Sequence, residues 1–264
     1  DPWLTAYAVD FLTRAKAKGF GVPATPYLAG LKWLEQRVRR TEWKEFTDLA
    51  ATAYAHYDLA AAGVGRASYA RYFAGRVVDR LPSASAAAQL AAALALYGEA
   101  DQARFYFGKA LAKVNSRRDL RDYGSSVRDM ANLVSLSGET APRMANVDRD
   151  WGGRNLFDLV DELATRQNQK RYLSTQEQAS LIVAAAALNE AQTPMELTVD
   201  GVARAPANDP LYVRPGKARL VDGIEYVNSG SSALWHTATI TGVPKAELPP
   251  EAEGFAISRG FYGL

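Results

Sequence analysis

The sequence predicts a mainly α fold: an α/α toroid built of αα-hairpin repeats, followed by a small antiparallel β segment. Three observations predict it. From residue 1 to about 192 the apolar side chains recur with a helical period. After Pro194 that period drops to two. Within the helical part, short sequences return at offsets of 47 and 40 residues, as they do when an αα unit repeats.

The first helix is written in "DPWLTAYAVDFLTRA". Leu4, Tyr7, Ala8, Phe11, Leu12 and Ala15 follow the i, i+3, i+4, i+7 spacing of one apolar stripe. Asp1 suits the N-cap, Pro2 the first helical position, and Gly19 the stop. A second helix begins at Thr25-Pro26, with Tyr27, Leu31, Leu34 and Val38 on one face. Others are expected near 46–62, 67–81, 84–97, 100–114, 125–137, 154–168 and 175–190, about nine in all. The last opens on "STQE", where Ser174 and Glu177 have capping-box spacing.

In the β segment Met195, Leu197 and Val199 alternate with polar residues and run into Asp200-Gly201. Leu220 and Val221 precede a second Asp-Gly at 222–223, with Ile224 and Tyr226 after it. Asp-Gly between alternating runs predicts a hairpin at each place. "SALWHTATIT" (232–241) reads as a further strand, and "KAELPPEAEG" (245–254) as a link to the strand-like "FAISRGFYGL".

The repeat is explicit. "TAYAVDFLTRA" (5–15) aligns with "TAYAHYDLAAA" (52–62), and "LAAALALYGE" (90–99) with "MANLVSLSGE" (130–139). Small residues at every third or fourth place let helices approach, and the glycine is expected to supply a left-handed stop. "GEADQARFYFGKAL" (98–111) also fits one tetratricopeptide-like unit, but no copies stand 34 residues away at 64–77 or 132–145, so the longer period favours a toroid.

Composition narrows the function. The 31 basic and 29 acidic residues leave a net charge of +2, without the basic surplus that nucleic-acid binding calls for. There is no cysteine, hence no disulfide, thiolate metal site or cysteine nucleophile in these residues. No apolar run reaches the roughly 18 residues of a membrane span. Residues 1–20 lack the basic start and apolar core of a secretory signal, as a mature secreted protein or an excised fragment would.

The opening helices carry a resemblance. "WLTAY" (3–7), with "TAYAHYDL" one unit later, resembles the thioester-domain helices of the α2-macroglobulin and complement family. "DYGSSVRDMANLVSL" (122–136) and "YLSTQEQASLIVAAAAL" (172–188) look like later helices of its bacterial branch. "LTVDG" (197–201) resembles the return into the β domain around that toroid, and "ISRGFYGL" (257–264) the start of the last β-sandwich. The resemblance implies three parts: residues 1–192 as the later part of a thioester-type toroid, incomplete at its N-terminus; 193–245 as a CUB-like β segment; and 246–264 as a linker and the start of a macroglobulin-like sandwich.

It further implies a fragment of a broad-spectrum protease trap or envelope defence scaffold, periplasmic, its parent attached to the inner membrane. Proteases and other envelope proteins would be the partners; no nucleic acid, small-molecule ligand, cofactor or metal is expected. The family's thioester stretch lies upstream of WLTAY, and without cysteine "TQEQ" (175–178) cannot form one. The complement-type acyl-transfer histidine has no counterpart between residues 1 and 55. The fragment is expected to be no enzyme.

Against this stand an α/α-toroid carbohydrate-active enzyme and a tetratricopeptide-like binding module. The first would use paired carboxylates, for which Asp158, Asp161 and Glu162 are the candidates, although nearby Lys and Arg favour ion pairing. An aromatic sugar groove could draw on Trp3, Trp33, Trp43, Tyr54, Tyr57, Tyr69 and Tyr72, which at helical spacing otherwise bridge helix layers. His56 and His236 fall in different halves, with Asp58 too close in sequence to share a face with His56. "RVRR" (37–40) and "RR" (117–118) read as solvated helix faces, and "WGG" (151–153) as a turn.

Overall fold

The computed structural model describes residues 1–243 except 41, 44, 116–123, 145–155, 191–193, 208, 210, 218, 231–233 and 235. They fall into two compact units, one within Asp1–Pro194 and Asn208–Pro210, the other within Met195–Ala207 and Leu211–Leu264. The segment from 244 onward, including "FAISRGFYGL", lies outside the described residues.

The first unit is helical. Its elements are α1 (Pro2–Ala17), α2 (Ala24–Val38), α3 (Phe46–Ala61), α4 (Ala67–Val77), α5 (Ala84–Leu96), α6 (Ala100–Lys113), α7 (Ser126–Thr140), a 3-10 turn (Ala141–Met144), α8 (Leu156–Asn168) and α9 (Thr175–Glu190). The odd helices pack against one another in order, α1 on α3, α3 on α5, α5 on α7 and α7 on α9, while the even helices cover them from outside. This alternation is the layering of an α/α toroid. The two TAYA copies fall on α1 and α3, and the second repeated pair on α5 and α7, all inner helices.

Local chemistry explains the ends. Asp1 accepts from the amides of Trp3 and Leu4, with Pro2 at the first helical position. Three inner helices, α1, α3 and α5, close alike on left-handed glycines, Gly19, Gly63 and Gly98 (φ 81°, 71° and 82°). In each, the amide after the glycine reaches back five residues, Phe20 to Ala15, Val64 to Leu59 and Glu99 to Leu94, and the glycine's own amide reaches back three. That is the Schellman bond pair. The Ser174–Glu177 capping box forms reciprocally, at 2.8 and 3.3 Å.

Two helical expectations fail. Gly138 stops nothing: it lies inside α7, where its bare backbone faces Ala187 of α9, about 3.6 Å from where a Cβ would stand. The α1 stripe is not the buried face either. Ala6 and Val9 are buried, whereas Leu4 is 46% and Phe11 67% exposed, because α3 and α2 take the other side of the helix. In α2 the expected Tyr27, Leu31, Leu34 and Val38 are all buried.

In the second unit, β1 (Leu197–Val199) pairs antiparallel with β2 (Val202–Ala203) across Asp200-Gly201, whose φ values of 50° and 76° fit a type I′ turn. On its other edge β1 pairs with β3 (Tyr226–Asn228), giving the order β2-β1-β3. The second Asp-Gly makes no hairpin. Arg219–Asp222 forms a short helical turn, α10, closed by Gly223 at φ 84°, since a left-handed glycine ends a helix as readily as it turns a hairpin. The described residues of "SALWHTATIT" form no strand either. Ile240 is 85% exposed, and alternation without a partner strand leaves the backbone groups to water.

We predict that Gly63→Ala lowers stability by about 1 kcal/mol through backbone strain alone, since nothing lies within 4 Å of the added Cβ. Gly75→Ala, on an exposed and unstrained turn of α4, should raise it by about 0.5–1 kcal/mol. Urea unfolding of both variants checks the opposite signs.

Candidate functional site

All five inner helices converge on one cavity of about 100 Å³. α1 supplies Trp3, Tyr7, Asp10 and Arg14, α3 supplies Tyr54 and Tyr57, and polar and apolar side chains of α5, α7 and α9 complete the wall.

At one end Arg14 organises the site. Its guanidinium meets Asp10 at 2.8 Å, Glu139 of α7 at 2.6 Å and the Tyr57 hydroxyl at 2.8 Å. Tyr57 donates to Glu139 and Tyr54 to Asp10, each at 2.8 Å. Burial works against Arg14's charge, yet Tyr57, Asp10 and Glu139 outweigh it and hold the guanidinium charged. Burial, then the neighbouring carboxylates, keeps both tyrosines protonated, as the donors this arrangement requires. For Asp10 burial outweighs the pull of Arg14 and the Tyr54 bond, so its carboxyl titrates above the ordinary range.

Toward the other end, Asp129 accepts from Arg128 and Ser85 at 2.8 Å each, and Asn132 donates to Ser85 at 2.9 Å. The Arg128 guanidinium sits 5.7 Å above the Trp3 ring, which stacks on Tyr7. Beside them Glu177 joins two helix starts, accepting from Ser125 before α7 and from the Ser174 amide and Lys170 before α9. Burial opposes that carboxylate, but the bonds from Lys170, Ser125 and Ser174 prevail and hold its pKa down to about 2. These are matched donor–acceptor sets.

The sequence candidates scatter. Trp3, Tyr54 and Tyr57 reach the cavity, whereas Trp43 packs on Phe73 and Tyr72 of α4, and Trp33 lies beside Arg37. Tyr69 lies under Arg66, also on the outer layer. His56 is buried against Phe73, which pushes its pKa down to about 3, while His236 sits by Tyr226 in the second unit. Asp158, Asp161 and Glu162 lie on the outer helix α8, and Glu162 binds Arg166. Asp10, which does line the cavity, is instead tied with Glu139 to one guanidinium.

Arg37 corrects an expectation. It is buried, bound to Asp48 at 2.8 Å, not part of a solvated face; Arg39 does pair at the surface, with Glu35. Residues 117–118 and 151–153 lie outside the described residues. Sequence reading missed the Arg14–Glu139 bridge, which spans 125 residues. Its trace is the Asp10–Arg14 pair at i, i+4 and the Glu that ends the second repeat.

No family model matches the chain. It is 28% identical to the α2-macroglobulin of Escherichia coli (strain K12) over 99% of its own length and 16% of that protein's. In fold it is similar to a Salmonella α2-macroglobulin crystallised after reaction with methylamine, with a TM-score of 0.61 and 29% identity over 88% of this chain and 15% of that one. It is also similar to trypsin-activated α2-macroglobulin from Escherichia coli, with a TM-score of 0.60 and 25% identity over 86% and 15%. The resemblance read from WLTAY onward therefore extends through nearly the whole chain. The chain spans about a sixth of the curated relative it matches.

Arg14→Met should cost about 2–3 kcal/mol, below the range for fully enclosed pairs because the side chain is partly exposed, as it strands Asp10 and Glu139 together. Arg39→Met, which breaks only an exposed i, i+4 pair, should leave thermal stability essentially unchanged. Thermal unfolding separates the two.

Proposed function

We infer that this chain is a segment of a bacterial α2-macroglobulin-like protease trap, with no catalysis of its own. The similarity to such proteins along nearly the whole chain, in sequence and in fold, carries the reading. Residues 1–192 would form the later arc of a thioester-type toroid, 193–245 a CUB-like segment, and 246–264 a linker and the start of a macroglobulin-like sandwich. Exposed Leu4 and Phe11 on α1 and Ile182 (69% exposed) on α9 support the arc, since both helices border the cavity and a further helix of the parent would bury such side chains.

The parent would engage attacking proteases and enclose them; the trypsin-activated relative supports proteases as its targets. A periplasmic place, attachment to the inner membrane and contact with other envelope proteins complete the proposal. This segment's part is mechanical. Its inner helices, tied through Arg14 and Glu177, present a fixed body on which the parent's reactive parts are mounted.

Incubation of the parent protein with trypsin tests the trap. Trypsin should co-elute with the parent, still cleave a small peptide substrate, and lose activity on a folded protein substrate. Free elution with full activity on the protein substrate would refute it. The isolated chain should hydrolyse no ester, peptide or glycoside; sustained glycoside turnover would instead favour the carbohydrate-enzyme reading.

A further inference from the structure

We propose that the contact between α1 and α3 stores a proton: Asp58 is packed as a neutral carboxylic acid, and the helical arc loosens as rising pH removes that proton. Asp58 is fully buried on α3, and neither carboxyl oxygen has a hydrogen-bond partner among the described residues. An ionised carboxylate so placed would have lost water and gained nothing in return.

The surroundings supply no counter-charge. From α1, Asp10 and Arg14 act on Asp58, and Arg14 is already shared between Asp10 and Glu139 of α7. Three carboxyls thus divide one guanidinium. On α3 itself, Tyr54 and Tyr57 direct their protons to Asp10 and Glu139, and His56 is neutral. α5, also packed on α3, has no ionisable side chain. On α4, whose Phe73 meets His56, Arg71 binds Glu99, Tyr69 lies under Arg66, and Tyr72 and Arg76 are exposed. On α2, Arg37 turns to Asp48, Glu35 binds Arg39, Lys32 is exposed, and the Tyr27 hydroxyl meets Thr13. Burial first, then Asp10, raises the Asp58 carboxyl well above its ordinary range, against the weaker pull of Arg14.

The sign follows from linkage. Below about pH 4 Asp58 is protonated folded or unfolded and adds no pH dependence. Above that the unfolded chain releases the proton while the folded chain keeps it, so stability falls until the folded carboxyl ionises too. One such proton lowers the folding constant about tenfold per pH unit in that window.

The test compares thermal unfolding of the 264-residue chain and its Asp58→Asn variant from pH 5 to 9. His56 is common to both and cancels in the difference. The variant should melt higher, and its margin should widen as pH rises. A margin that stays constant with pH, or a variant less stable throughout, would overturn the proposal. Infrared difference spectra of the native chain at neutral pH give a second readout that does not depend on the variant's stability: 13C labelling of aspartate should shift a protonated carboxylic C=O band, and absence of any such band refutes the stored proton.

Discussion

The arc depends on how closely its inner helices approach, and α5 sets that distance. Its run of alanines, broken by Ser85, Gln89, Leu90 and Leu94, is buried on every side from Ala84 to Ala95. A helix without large side chains lets α3, α6 and α7 press against it together. A larger residue in that run would push neighbouring layers apart, because close-packed interiors absorb added volume poorly.

Close packing in turn dictates the polar chemistry. Where inner helices pack closely, buried donors and acceptors are satisfied mostly by partners in the protein. Arg14 answers for Asp10, Tyr57 and Glu139 at one end of the cavity, and Asp129 for Arg128 and Ser85 toward the other. Both sets join helices that are not sequence neighbours, so they fix the curvature of the arc as well as satisfying the groups. The accounting fails for several buried groups, Asp58 among them: neither of its carboxyl oxygens has a hydrogen-bond partner among the described residues.

Much of the helical unit was legible because its signals are local. A cap needs only the residues within one turn, and Asp1, Ser174 and Glu177 behave as their spacing predicts. The first Asp-Gly turn is equally local. What escaped depends on neighbours. The α1 stripe looks like a core face, yet which face is covered is decided by α2 and α3. Arg37 reads as one of a solvated run, but Asp48, at the start of the next helix, draws it inside. The β segment was least legible, since its short strands depend on pairings that alternation alone does not specify.

The paired Gly-Glu endings show how one backbone choice separates two like sequences. At Gly98 the chain turns left-handed, α5 stops, and Glu99 leaves the inner layer to bind Arg71 of α4 at 2.6 Å. At Gly138 the helix continues, held by its contact with α9, so Glu139 stays on the surface of α7 and meets Arg14. The same dipeptide thus serves the outer layer in one repeat and the central site in the next. The difference lies in the partner: α9 packs against the glycine of α7, and that contact favours a helical glycine over a left-handed one. The repeat supplies equivalent positions, and the packing around each glycine decides which become part of the site.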